Sequence, residues 1–159
     1  MFNKDNLSII GYMFDTNVFN QILDEEIECN LFSRINCFVT HIQHDEICNT
    51  KNPERKKRLE ETFVLIEKRT ILTETIILGT SRLNQAKLSD GILNKEILEM
   101  LNKKKKKLNN WEDALIAETA IMNSLTVVTH DEALFTIITN FDGSCCNLQH
   151  LFLLLSHAL

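Results

Sequence analysis

Four acids stand at positions where a carboxylate does little for packing. Asp15 ends the apolar, β-rich run Ser8-Ile9-Ile10-Gly11-Tyr12-Met13-Phe14, and Thr16-Asn17 then open a helical stretch. Glu46 lies about one and a half helical turns beyond a second such run, Ile35 to Thr40. Asp131 is two residues past a third, Leu125 to Thr129, and Asp113 falls in the first turn of the helix that feeds it. The chemistry open to such a set is capture of a hard cation. Mg²⁺ or Mn²⁺ takes oxygen ligands and keeps several waters, so three or four carboxylates suffice.

Taken singly, Glu46, Asp113 and Asp131 each have an ordinary explanation. An Asp after a strand can make an Asx-turn, which leaves Asp15 the least ordinary of the four. An isolated Glu belongs on a solvated face. A first-turn Asp complements the helix dipole, and an Asp before a helix caps it, each worth about 0.3–1 kcal/mol. Position on the helices argues for more. Asp113, Ile116, Ala117 and Ala120 fall at i, i+3, i+4 and i+7, which puts Asp113 on the apolar stripe. Glu46 follows Ile42 by four on its own face. Both acids therefore point toward a sheet, where an unpaired charge is costly. Two carboxylates ~4 Å apart repel by about 4 kcal/mol at an effective dielectric of ~20. A divalent cation turns that repulsion into ligation.

The elements that must position these acids alternate between strand and helix. Strands are predicted at Ser8 to Phe14, Ile35 to Thr40 and Leu125 to Thr129, with a final edge strand at Cys145 to Leu148. Helices are predicted from Asn17 to about Asn30 (Val18, Ile22 and Leu23 inward) and from Pro53 to about Lys68 (Leu59, Phe63 and Ile66 inward). Further helices are expected from Asp90 to about Lys106, from Trp111 to Asn123 behind an Asn110 cap, and from Asp131 to Ile138. Thr40-x-x-Gln43 has the form of a capping box. Ile71 to Leu78 reads equally as a strand or a helix start. Strands separated by helices of ten or more residues specify a parallel sheet covered on both faces. Sites in such sheets gather at the C-terminal strand ends.

Composition bounds the rest. A chain of 159 residues makes one domain with a real core. One proline and four glycines leave no flexible linker and no glycine-rich phosphate loop. No signal peptide is visible, and no apolar run nears the ~20 residues of a membrane span; a cytoplasmic protein is expected. Five cysteines without a Cys-x-x-Cys suit a reducing compartment. His41, His44 and Cys48 are spaced for one helix face, but three ligands without a fourth make a weak zinc signal. The net charge of −5 argues against a uniformly basic nucleic-acid binder. The charge is uneven, however. Asp24-Glu25-Glu26 and Glu28 form an acidic patch, Lys51 and Arg55-Lys56-Lys57-Arg58 a basic one, and Lys103, Lys104, Lys105, Lys106 and Lys107 another. An acidic protein can still turn a basic face to a phosphate backbone.

Four segments together resemble the PIN domain, the metal-dependent ribonuclease fold of many toxin–antitoxin toxins and RNA-processing nucleases. Phe14-Asp15-Thr16-Asn17-Val18-Phe19 resembles its opening Asp-x-Asn after the first strand. Thr40-His41-Ile42-Gln43-His44-Asp45-Glu46-Ile47 resembles the segment carrying its Glu. Asp113-Ala114-Leu115-Ile116-Ala117 resembles its Asp-Ala-x-Ile-Ala helix start, and Val127-Val128-Thr129-His130-Asp131 its Thr-x-Asp. The resemblance covers nearly the whole chain, 1–159. It implies a three-layer α/β/α sandwich around a five-stranded parallel sheet. It implies Asp15, Glu46, Asp113 and Asp131 around one or two Mg²⁺ or Mn²⁺ ions, with Asn17 and Thr129 as supporting polar residues. Asp45 competes with Glu46 as the ligand, and Glu is the family's residue there. Asp90 is left unassigned. The stretch from Ile71 to Lys107 and the lysine run depart from a minimal toxin.

The activity so implied is endoribonucleolytic hydrolysis, with an RNA substrate and, for a toxin, an antitoxin partner and a homodimer. Asp15, Asp113 and Asp131 would hold the ion, and Glu46 would complete the site or take a proton from water. Lys103 to Lys107 would attract phosphate or simply form a solvated helix end. Trp111 would stack on a base or pack at the rim. His130 would touch substrate or merely start a helix. Three readings stay open beside this one. A haloacid-dehalogenase-type phosphatase also begins with an Asp after a strand, but it expects a second Asp where Asn17 stands. An inactive nucleic-acid or partner-binding module would use the basic runs alone. A structure-specific DNA nuclease would share the chemistry.

Overall fold

Alternation along one short strand organises the protein. Tyr12 and Phe14 face one side of the sheet and Met13 the other, and all three are buried. The structure, a computed structural model, describes residues 10–82, 84–106 and 110–157. Strand β1 (Gly11–Phe14) lies at the centre. It pairs in parallel with β2 (Asn36–Val39), Gly11 opposite Asn36, and with β4 (Thr126–Val128), Phe14 opposite Val128. Strand β3 (Arg69–Thr70) extends the sheet beyond β2, and β5 (Ser144–Cys146) beyond β4. The order is β3-β2-β1-β4-β5, parallel throughout. The chain walks outward through β2 and β3, then returns to β4 on the other side of β1. That reversal opens a crevice at the C-terminal ends of β1 and β4.

Helices cover both faces. On the Tyr12–Phe14 side pack α1 (Thr16–Asp24), a 3₁₀ turn (Cys29–Arg34), α3 (Pro53–Ile66) and α7 (Leu148–His157), through Val18, Phe19, Phe32, Leu59, Phe63 and Leu151. On the Met13 side pack α4 (Ile92–Lys104), α5 (Trp111–Met122) and α6 (Glu132–Asn140), through Ile97, Leu101, Ile116, Ala117 and Leu134. Helix α2 (His41–Cys48) joins the layers, with Ile47 in one core and Ile42 in the other. Each layer supplies an apolar stripe that an exposed sheet face would otherwise leave in water.

Several boundaries differ from the sequence expectation, for physical reasons. The first helix stops at Asp24 instead of running to Asn30. Glu26 turns left-handed (φ 53°), and the Ile27 amide closes back onto the Ile22 carbonyl at 3.0 Å. Ile71 to Leu78 forms neither a strand nor a helix start. The sheet strand is Arg69–Thr70 just before it, and Thr73 makes a single bridge to Ala86. Helix α4 begins at Ile92, not Asp90; the Asp90 carboxylate accepts from the Ile92 amide at 3.1 Å. The last strand is Ser144–Cys146, and Leu148 already opens α7; in the apolar tail Leu151 and Leu155 are buried, while Leu153 is exposed. Ser8 and Ile9 of the expected first strand lie outside the described residues. Pro53 starts α3 as expected, with Asn52 accepting from the Arg55 amide at 2.9 Å.

Candidate active site

The four acids come from four different elements and line one cleft of about 510 Å³ at the crevice, together with Thr16, Asn17, Lys105 and Lys106. Asp15 sits immediately after β1, its amide continuing the ladder to the Val128 carbonyl at 3.0 Å. Its side chain is 3 % exposed and accepts from the Thr129 hydroxyl at 2.8 Å. Burial, then repulsion from Asp113, raises its pKa to about 6, against the Thr129 hydrogen bond. Asp131 is the N-cap of α6. Its Oδ1 accepts from the Ala133 and Leu134 amides at 2.9 and 3.0 Å, and its own amide donates to Thr129 Oγ1 at 3.0 Å. Thr129 thus ties Asp15 to Asp131 through one hydroxyl.

Glu46 reaches the cleft from α2, three residues beyond Gln43, which closes the capping box with Thr40. Gln43 Oε1 accepts from the Thr40 amide at 2.9 Å, and Gln43 Nε2 donates to the Phe14 carbonyl at 3.1 Å. That last bond pins α2 to the end of β1 and so sets Glu46 beside Asp15. Thr16 donates its hydroxyl to Glu46 Oε2 in a short contact. Burial, then repulsion from Asp15, Glu112 and Asp113, outweighs the Thr16 bond and lifts the Glu46 pKa to about 7. Asp45 does not enter the cleft; it contacts Arg82 on the 71–90 segment. Asp90 is also elsewhere, at the start of α4.

The remaining candidates divide. Asn17 is exposed at the cleft, and Thr129 is buried beneath it. Lys103 and Lys104 are exposed in the last turn of α4, where they complement the dipole. Lys106 is exposed and lines the cleft. Lys107 lies outside the described residues. His130 lines a neighbouring cavity of about 460 Å³ with Asp131, Phe135 and Asn147. Trp111 is 38 % exposed at the start of α5 and does not line the cleft. His44 and Cys48 come within 3.7 Å of each other, while His41 is buried.

Lys105 is the residue whose place the sequence did not reveal. Its Nζ lies 2.6 Å from Asp113 Oδ2 and 2.5 Å from Asp131 Oδ2, in a side chain only 16 % exposed. Burial opposes its charge, but the two carboxylates win and raise its pKa. Burial likewise opposes ionisation of Asp131, and the Lys105 and amide hydrogen bonds overcome it, so that carboxyl stays below its ordinary range. Nothing in five consecutive lysines distinguishes the one that turns inward. Gln43 was legible as a cap but not as the link to β1.

The donor set fits a hard divalent ion: carboxylate oxygens, with no thiol or imidazole among the described residues that line the cleft. The Lys105 ammonium stands as a cation between two of these acids. Among the described residues, no three acidic, His or Cys side chains close around a single point as they stand.

No family model and no curated protein matches the sequence. Solved structures do match. PAE2754 from Pyrobaculum aerophilum is 10 % identical with a TM-score of 0.57, over 95 % of this chain and 98 % of that one. VapBC2 from Rickettsia felis, bound to a DNA fragment from their promoter, is 19 % identical with a TM-score of 0.51, over 87 % and 98 %. The likeness runs through almost the whole of each chain, and with the parallel sheet between two helical layers it identifies the fold as PIN-like.

Proposed function

We propose that the protein is a divalent-metal-dependent endoribonuclease. One observation carries the reading: four carboxylates from four separated elements share one cleft at the strand ends, with Asp15 nearly fully buried among them. A fold that needed these acids only for caps and turns would not gather them where neighbouring carboxylates help raise the pKa values of Asp15 and Glu46. Asp15, Asp113 and Asp131 would hold Mg²⁺ or Mn²⁺, with Glu46 completing the set. The ion when bound would supply a water activated near neutral pH and stabilise charge on the phosphate. Glu46, with its high pKa, is suited to take a proton from that water. Thr129 holds Asp15 and Asp131 in register, and Thr16 orients Glu46. Lys106 at the rim is placed to meet the RNA backbone.

A toxin role with a protein antitoxin belongs to the same reading, supported by the fold shared with VapBC2. A haloacid-dehalogenase-type reaction is less well served, since the amide of Asn17 stands where that chemistry uses a second acid. The experiment is cleavage of labelled RNA by wild type and Asp15→Asn, in Mn²⁺ and in EDTA. Cleavage is expected only for wild type with metal. RNA cut equally by both proteins, or by wild type in EDTA, sinks the proposal. Binding of RNA without any cleavage would favour the inactive binding module.

A further inference from the structure

We propose that the Lys105 ammonium is the resident cation of the acid cleft, and that a divalent ion binds there by displacing it. The inference rests on the metal-site reading above and adds a step to it. Lys105 is the first residue beyond α4. Its amide still closes onto the Leu101 carbonyl at 2.7 Å, but its backbone is already extended (φ −97°, ψ 134°). That change of direction separates it from its neighbours. Lys103, Lys104 and Lys106 are exposed, whereas the Lys105 side chain turns into the cleft. Burying an ammonium is costly unless it is paired, and here it is paired twice, at 2.6 and 2.5 Å.

The oxygens it takes are the ones an ion needs. Asp131 Oδ1 is committed to the Ala133 and Leu134 amides that start α6. Oδ2 is the atom it can offer to a ligand, and Lys105 holds it. On Asp113 the same nitrogen takes Oδ2. An ammonium and a divalent ion therefore cannot both sit between Asp113 and Asp131. The two acids are clamped on Lys105. When an ion enters, Lys105 is released to the rim beside Lys106, where a phosphate would meet both.

The test reads metal affinity, not activity. Mn²⁺ is titrated calorimetrically into wild type, Lys105→Met and Lys105→Arg. Lys105→Met should bind at least tenfold more tightly than wild type, and Lys105→Arg no more tightly. A Lys105→Met protein that melts cooperatively yet binds Mn²⁺ no better than wild type overturns the proposal. A second measurement needs no variant. Acylation of Lys105 by an amine-reactive ester, followed by mass spectrometry, should speed up several-fold in saturating Mn²⁺; an unchanged rate also overturns it. The two readings fail differently. If neither wild type nor Lys105→Met binds Mn²⁺, the cleft is no metal site and both fall. If both bind equally, the metal site stands and only the displacement is wrong.

Discussion

Asp15 and Glu46 are held where a charge is hardest to keep, and this has a consequence for stability. Both have folded pKa values, about 6 and about 7, above the ordinary carboxylate range near 4. Between those limits the folded protein binds more protons than the unfolded chain, so metal-free stability falls as pH rises from about 4.5 through 7. The loss is on the order of 3 kcal/mol once the coupling of the two acids is allowed for. For a chain of this size that is a drop of roughly 6–12 °C in melting temperature. His41, kept below its ordinary range chiefly by burial, pulls the other way at pH values below its ordinary 6.5. Comparison with an Asp15→Asn, Glu46→Gln variant isolates the acids. Thermal melts in EDTA at pH 5 and pH 7.5 should show a larger fall for wild type than for the variant. Equal slopes would mean that the two carboxyls ionise normally. Mn²⁺ should recover the wild-type loss at pH 7.5 by mass action.

Among the elements, three helices end by one shared device. Helices α1, α5 and α6 each end with a residue other than glycine in the left-handed region: Glu26 (φ 53°), Ser124 (φ 53°) and Asp142 (φ 57°). In each case the next amide closes back five residues, Ile27 to Ile22, Leu125 to Ala120 and Gly143 to Ile138, at 2.9–3.0 Å. The usual stop signal, a glycine at the left-handed position, is absent, so the end of α1 was invisible in sequence. Three starts were legible because their signals are side chains: Pro53, the Thr40–Gln43 box and Asp131. The segment after β3 was illegible for another reason. Its buried polar residues Thr73 and Glu74 are satisfied by distant partners, Glu74 by Lys87 at 2.7 Å and Asn123 at 2.8 Å, which local periodicity cannot encode. The left-handed caps make a prediction. A residue with a Cβ there costs about 1–2 kcal/mol, part of which glycine returns through its own flexibility in the unfolded chain. Glu26→Gly and Ser124→Gly should each raise stability by about 0.5–1 kcal/mol in urea titration. A loss in both would show that these side chains hold the turns.

Across the whole molecule, the net charge of −5 hides two basic runs that the fold treats differently. The run at the start of α3 is drawn against the acidic patch. Arg55 grips Asp24 at 2.6 and 2.9 Å and Asn20 at 2.8 Å, and Lys56 faces Glu60 at 3.8 Å. The run at the end of α4 gives Lys105 to the acids and leaves Lys103, Lys104 and Lys106 exposed, with Lys106 at the cleft. In sequence Lys103 to Lys107 were the candidates for a phosphate backbone because they stand just before the Asp113 helix; that the other run is drawn onto Asp24 and Asn20, some thirty residues away, was not legible there. RNA held across the cleft should therefore release counterions chiefly from the second run. For a single strand, each neutralised phosphate contributes about 0.7 to the slope of log affinity against log salt. With Asp15→Asn as a non-cutting background, fluorescence anisotropy between 50 and 300 mM KCl measures that slope. Replacing Lys103, Lys104 and Lys106 by Gln should flatten it by as much as about 2, and replacing Lys57 and Arg58 by less than about 0.7. The reverse ranking would move the RNA to the α3 side, away from the four acids, and a cleft that RNA does not cross cannot be where it is cut.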